Sequence, residues 1–157
     1  MGFWKFLVHN AACLWKLAAD GVKYAQDILR GIKFNRIMAE RMGEGYVHEL
    51  WVNGMKSRLD SFLKGGGEII SRKATQLAEI TEETAKKYID EIAKKYKNGM
   101  KIQNAERGGA EVLKGDYILQ IPKQEKAIPQ SVLDYANENF VKIDEVKDVT
   151  IDMLKNW

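Results

Sequence analysis

The stretch from Tyr46 to Lys73 constrains the fold most, because it holds three strand-like runs separated by two turn signals. Tyr46–Val52 is rich in aromatic and β-branched residues and reads as a strand. Asn53-Gly54 follows, and this pair accepts the positive φ that a tight hairpin turn demands. Met55–Phe62 continues as a second strand, Gly65-Gly66-Gly67 supplies another turn, and Glu68–Lys73 is a third strand. Strands this close in sequence pair locally, so the segment predicts an antiparallel meander.

Helical patterns flank the meander. Apolar residues recur at three-to-four spacing through Phe3, Leu7, Ala11, Leu14 and Ala18, predicting an amphipathic helix over 3–19. Asp20-Gly21 interrupts it, and a second helical pattern runs from Val22 to Met42, with Gly31 as a point where it divides. After the meander, Thr81 is the expected N-cap of a helix with Glu82 and Glu83 in its first turn, ending at Asn98-Gly99. Asp116–Ile121 reads as a fourth strand, Pro129 opens a short helix, and Val141–Leu154 reads as a further strand or hairpin. The predicted order is α-βββ-α-β-α-β, an α/β domain over residues 20–157 with an N-terminal amphipathic helix over 1–19.

The 157 residues suffice for a sizeable core, and no apolar run approaches the roughly 20 residues of a membrane-spanning helix. His9, Asn10 and Lys16 break what would otherwise resemble a signal peptide, and Phe6 stands where a myristoylation signal needs Ser or Thr. A single cysteine, Cys13, excludes an internal disulfide. Net charge is +3, distributed as +2 over residues 1–53, +4 over 54–104 and −3 over 105–157. The basic middle third suits a polyanionic partner, although lysines such as Lys86, Lys87, Lys94 and Lys95 are equally what a solvated helix face carries.

Within that basic third lie the candidate site residues. Phosphodiester hydrolysis commonly uses oxygen ligands around a divalent cation and a basic group near the scissile phosphate. Asp60 lies near the end of the second strand, eleven residues before Ser71. On the third strand, alternation places Ser71 and Lys73 on one face and Glu68, Ile70 and Arg72 on the other. The lysine's same-face neighbour is therefore Ser71, giving Ser-x-Lys in place of acid-x-lysine. Glu68 is the alternative acid, reaching that face only if a bulge after Gly67 reverses it. Glu40, near the end of the preceding helix, offers a further carboxylate, with Glu44 and Glu49 as rivals. Arg58, Arg72 and Gln76 are candidate substrate contacts, and each has an ordinary surface or capping role as the alternative.

Two ordered blocks carry a resemblance. His48-Glu49-Leu50, Asn53-Gly54 and Leu59-Asp60-Ser61-Phe62 precede Glu68-Ile69-Ile70-Ser71-Arg72-Lys73-Ala74-Thr75-Gln76-Leu77; later come Lys95-Tyr96, Gly99 and Leu113–Pro122. From about Glu40 to Pro122 the chain resembles the C-terminal nuclease toxin domains of contact-dependent growth inhibition proteins of the CdiA type and related polymorphic toxins. The resemblance implies a restriction-endonuclease-like core and a metal-dependent endonuclease, most often a DNase, with tRNA-cleaving cousins on the same scaffold. It places Glu40, Asp60 and Ser71 as ligands of a divalent cation, zinc first and magnesium or manganese as alternatives, with Lys73 beside the scissile phosphate. It also implies a secreted or cell-surface-delivered protein acting in the cytoplasm of a target bacterium and neutralised by a cognate immunity protein. The reading from another class is a non-catalytic nucleic-acid-binding or interaction domain.

The N-terminal helix carries two further features. His9 and Cys13 lie four apart, half of a metal site at most, and packing is the simpler role. Trp4 and Trp15 beside Lys5 and Lys16 suit transient membrane contact as well as packing on the core.

Overall fold

The computed structural model describes residues 12–54, 56–63, 65–103 and 112–155. Helix α1 spans Lys23–Arg41, and β1 (Tyr46–Val52), β2 (Ser57–Leu63) and β3 (Glu68–Arg72) follow. Helix α2 (Glu82–Lys95) leads to β4 (Asp116–Pro122), then α3 (Gln130–Glu138), β5 (Val141–Val146) and a short α4 (Ile151–Lys155). The strands form one mixed sheet in the order β1-β2-β3-β4-β5. β1, β2 and β3 are antiparallel neighbours, whereas β4 lies parallel to β3 and β5 parallel to β4. The expected meander is present, and α2 and α3 are the crossovers that two successive parallel pairings require.

Local signals explain most boundaries. Asn53 and Gly54 both take positive φ, at 53° and 65°, inside a loop closed by the Val52↔Ser57 pair. The Thr81 hydroxyl accepts the Thr84 backbone N–H at 3.1 Å, so the expected N-cap is formed. Helix α2 stops at Lys95, ahead of the predicted Asn98-Gly99, and α1 is continuous through Gly31. Beyond β5 the chain does not form a hairpin. It turns at Lys147-Asp148 and becomes α4, whose Ile151 and Leu154 pack with Val149 against Phe34 and Met38 of α1. A second antiparallel strand would have left the lower half of α1 without that apolar cover.

The sheet is therefore covered on both faces. Ala85, Ile89 and Ile92 of α2 and Val132 and Ala136 of α3 pack with Leu119, Ile121 and Val141. A second cluster joins Leu50, Leu59, Phe62 and Ile69 of the meander to Tyr96, Ile102 and Leu113. Residues 12–19 are helical and set Leu14, Leu17 and Ala18 against Ala25 and Leu29 of α1. His9 and Trp4 lie outside the described residues, while Cys13 is free and exposed. Among the described residues no helix is long and apolar enough to cross a membrane.

At the start of β4 the backbone passes so close to the β2–β3 turn that a side chain has no room. A Cβ on Gly115 would meet Gly67 carbon and Glu68 nitrogen at 2.8 Å, and Gly115 has φ of 149°. The approach lets Asp116 N–H donate to Gly67 O at 3.1 Å, which starts the parallel ladder. Gly115→Ala is expected to lower unfolding free energy by about 2 kcal/mol, through overpacking; the midpoint of urea denaturation measures it.

Candidate functional site

Asp60 sits where β2 and β3 part. Those strands pair at Ser61↔Ile70 and Phe62↔Ile69, and the ladder ends there. Asp60 Oδ2 accepts the backbone N–H of Arg72 at 2.7 Å, and Oδ1 accepts Nδ2 of Asn35 on α1 at 3.0 Å. The carboxylate thus satisfies a strand N–H that the departing ladder would leave unpaired.

The opposite strand is irregular at the same level. The β1–β2 register runs through His48↔Ser61 and resumes at Leu50↔Leu59, leaving Glu49 facing Asp60 outside the ladder. Glu49 takes φ of 57°, a conformation that costs a non-glycine residue about 1–3 kcal/mol. Side-chain alternation changes phase there, so that Val47 and then Leu50 and Val52 all enter the same cluster. The Glu49 side chain is buried, with Oε1 3.9 Å from Nη1 of Arg58. Arg58 is itself largely enclosed, and burial pulls its pKa down against the opposing pull of Glu49 and Asp60. It is a partner of Glu49 inside the hairpin, not the surface phosphate contact expected.

Arg72 is the hub of the α1 face. Only 7% exposed, its guanidinium donates from Nε to Gln120 Oε1 at 2.6 Å and from Nη2 to Ser61 Oγ at 2.7 Å. Nη2 also meets Met42 Sδ at 2.9 Å, and Nη1 donates to Asn35 Oδ1 at 3.4 Å. Gln120 hands the network on to Asp144 Oδ2 at 2.9 Å, and Ser61 Oγ meets His48 Nδ1 at 2.7 Å. Burial lowers the guanidinium pKa to about 10, with Asp60 and Glu49 resisting, so the group is charged at neutral pH. Its donors are committed internally, which corrects its expected role as a phosphate contact.

Lys73 leaves the strand on the other face, as alternation requires. Its Nζ lies 4.9 Å from the ring centroid of Tyr88 on α2. Ser71 is buried and pairs in register with Leu119. Glu68 lies on the Arg72 side and accepts the Tyr46 hydroxyl at 2.5 Å, an interaction that pushes the Tyr46 pKa up to about 12. No bulge brings Glu68 toward Lys73. Gln76 is buried and bridges two loops. Its Nε2 donates to Lys123 O at 2.9 Å and its Oε1 accepts Glu125 N–H at 2.8 Å. Gln124 reciprocates, with Oε1 accepting Leu77 N–H at 2.9 Å and Nε2 donating to Thr75 O at 3.0 Å. The two glutamines clasp the loops that leave β3 and β4.

Beyond the end of β3, between α1 and α2, lies a cleft of about 610 Å³. Its lining holds Lys23, Arg30, Arg72, Lys73 and Lys155 against Asp27, Glu79 and Glu125, an excess of two positive charges. Lys23 and Arg30 share Asp27, each at 3.5 Å, and Lys155 lies 3.9 Å from Asp152. Lys73 makes no ion pair among the described residues. Its ammonium lies over the Tyr88 ring instead.

The expected cation ligands do not come together. The α1 side chain that reaches Asp60 is Asn35; Glu40, five residues on and about 140° further round the helix, is exposed. Both Asp60 oxygens already accept N–H groups, and two arginines balance the Asp60–Glu49 pair electrostatically. Among the described residues no three His, Cys, Asp or Glu side chains form a group that could hold a metal ion. The donor set that the resemblance implies, Glu40 with Asp60 and Ser71, therefore does not fit this site. Asn35 is the member that sequence reasoning missed, since an amide on α1 carries no motif; Arg72 was singled out, but as a substrate contact and not as a buried anchor. No family model, curated protein or solved structure matches the chain.

Arg72→Met is expected to cost about 3–5 kcal/mol of stability, because it strands Gln120, Ser61 and Asp60 around a missing charge. Glu40→Ala is expected to change stability by less than about 0.5 kcal/mol, as for an exposed side chain. Paired chemical denaturation curves read both.

Proposed function

We propose that the chain is an endonuclease of the nuclease-toxin kind on a restriction-endonuclease-like core, cleaving phosphodiester bonds in DNA, with RNA as the alternative substrate. The observation that carries this reading is Lys73, an ammonium without an ion pair among the described residues that lines a cationic cleft, one residue past the strand N–H that Asp60 holds. The mixed α/β architecture, with its antiparallel-then-parallel sheet, supports that reading of the fold. Under this reading the cleft seats the backbone at the carboxyl ends of β3 and β4, where ligands of open α/β sheets gather.

Each residue then has a defined task. Lys73 binds the scissile phosphate and offsets the charge that develops on it. Asp60 is a positioning residue: by capping Arg72 N–H and holding Asn35, it fixes where β3 ends and thus where Lys73 emerges. Arg72 anchors the same strand from the opposite face. Among the described residues Glu40, Asp60 and Ser71 do not form a cation site, so these tasks are set out for the side chains alone. A cognate immunity protein, and action in the cytoplasm of a target bacterium after surface delivery, belong to the same proposal.

The test is cleavage of supercoiled plasmid and of total RNA by the full chain, with chelator and then across Mg²⁺, Mn²⁺ and Zn²⁺. Lys73→Ala is expected to slow cleavage by about a hundredfold, the scale of losing one charge-stabilising group. Lys142→Ala, an exposed position on β5, should leave the rate unchanged. Wild-type protein that cuts neither substrate, or a Lys73→Ala variant as fast as wild type, would end the proposal.

A further inference from the structure

The cleft has a wall that a phosphate site alone does not need. Tyr88 lines it beside Lys73, and the Lys73 ammonium lies over the Tyr88 ring. The ring is only partly buried, packed at its inner edge on the α2–α3 cluster. Ile80 lines the same wall, and the carboxylates of Glu79 and Glu125 border it.

We infer that this cleft binds one unpaired nucleotide, its base stacked on Tyr88 and its phosphate on Lys73; the inference rests on the nuclease reading above. Phosphate recognition calls for positive charge, and the unpaired Lys73 supplies it. Base recognition calls for an aromatic face and hydrogen-bond acceptors for an amino edge, and Tyr88 with Glu79 and Glu125 supply those. Acidic groups would repel a ligand made only of phosphate. At about 610 Å³ the cleft lies within the range of small-ligand sites, roughly 300–1,000 Å³. A paired base hides both faces in the stack, so a base in a single strand or loop reaches Tyr88 and a stacked, paired one does not. The ammonium now over the ring is what a phosphate would draw aside, and that shift opens the ring face to the base.

Anisotropy of short labelled single strands and of the matching duplex, titrated with the full chain, tests the idea. The wild type is expected to bind the single strand more tightly than the duplex. Tyr88→Leu should weaken single-strand binding about tenfold, the scale of one lost base stack, and leave duplex binding unchanged. Tyr88→Phe, which keeps the ring, should bind like wild type. Equal losses for both ligands, or none, would overturn the inference. Photo-crosslinking of a 5-bromouracil single strand to the wild-type protein gives a reading independent of any variant's folding: a crosslink at Tyr88 supports the inference, and one only at other positions refutes it. A wild type that binds and cuts duplex alone, indifferent to Tyr88, sinks this inference and spares the nuclease reading. A wild type that binds no nucleic acid sinks both.

Discussion

The buried guanidinium of Arg72 is the constraint on which the rest of the site depends. Taking a cation out of water costs several kcal/mol unless hydrogen bonds and opposite charge replace the lost hydration. Here they come from four directions. Asn35 and Met42 approach from α1 and its C-terminal cap, Ser61 from β2 and Gln120 from β4, while Asp60 and Glu49 supply the countercharge. Because the partners are spread over α1, β2 and β4, satisfying the arginine also sets how α1 lies across the sheet. The same network reaches β5 through Asp144 and β1 through His48.

Strand parity turns that anchor into a site. Consecutive residues of a strand point to opposite faces, so pulling Arg72 into the α1 face presents Lys73 to α2. One residue is held rigidly and charge-compensated, and its neighbour is left with an ammonium against an aromatic ring. The divergence of β2 from β3 at Asp60 and the glutamine clasp of Gln76 and Gln124 then hold the cleft open between two fixed loops. Buried amides bonded to main-chain groups make these loops part of the framework, although they lack regular structure.

Much of the fold was legible in the chain because its signals are local. Asn53-Gly54 requires positive φ whatever surrounds it, and Thr81 can cap its own helix without tertiary help. The region after β5 was not legible, because Val149, Ile151 and Leu154 suit a strand or a helix equally. Contact with Phe34 and Met38, more than a hundred residues earlier, decided for the helix. The parity of residues 68–73 was legible, whereas a contact that depends on a distant partner was not. Glu40 is the natural acid to expect on α1, yet the rotation of that helix presents Asn35.

By itself, then, the sequence determined the order of elements as far as β5 and the opposition of Arg72 to Lys73, since alternation and turn chemistry act within a few residues. Tertiary structure alone decided that Arg72 would be buried and Lys73 set over the Tyr88 ring, that Gln76 would clasp a loop, and that among the described residues no carboxylate trio would gather at Asp60. Those outcomes turn on which groups from distant segments share a small, poorly hydrated space. There the cost of an uncompensated charge or an unpaired amide outweighs any local preference.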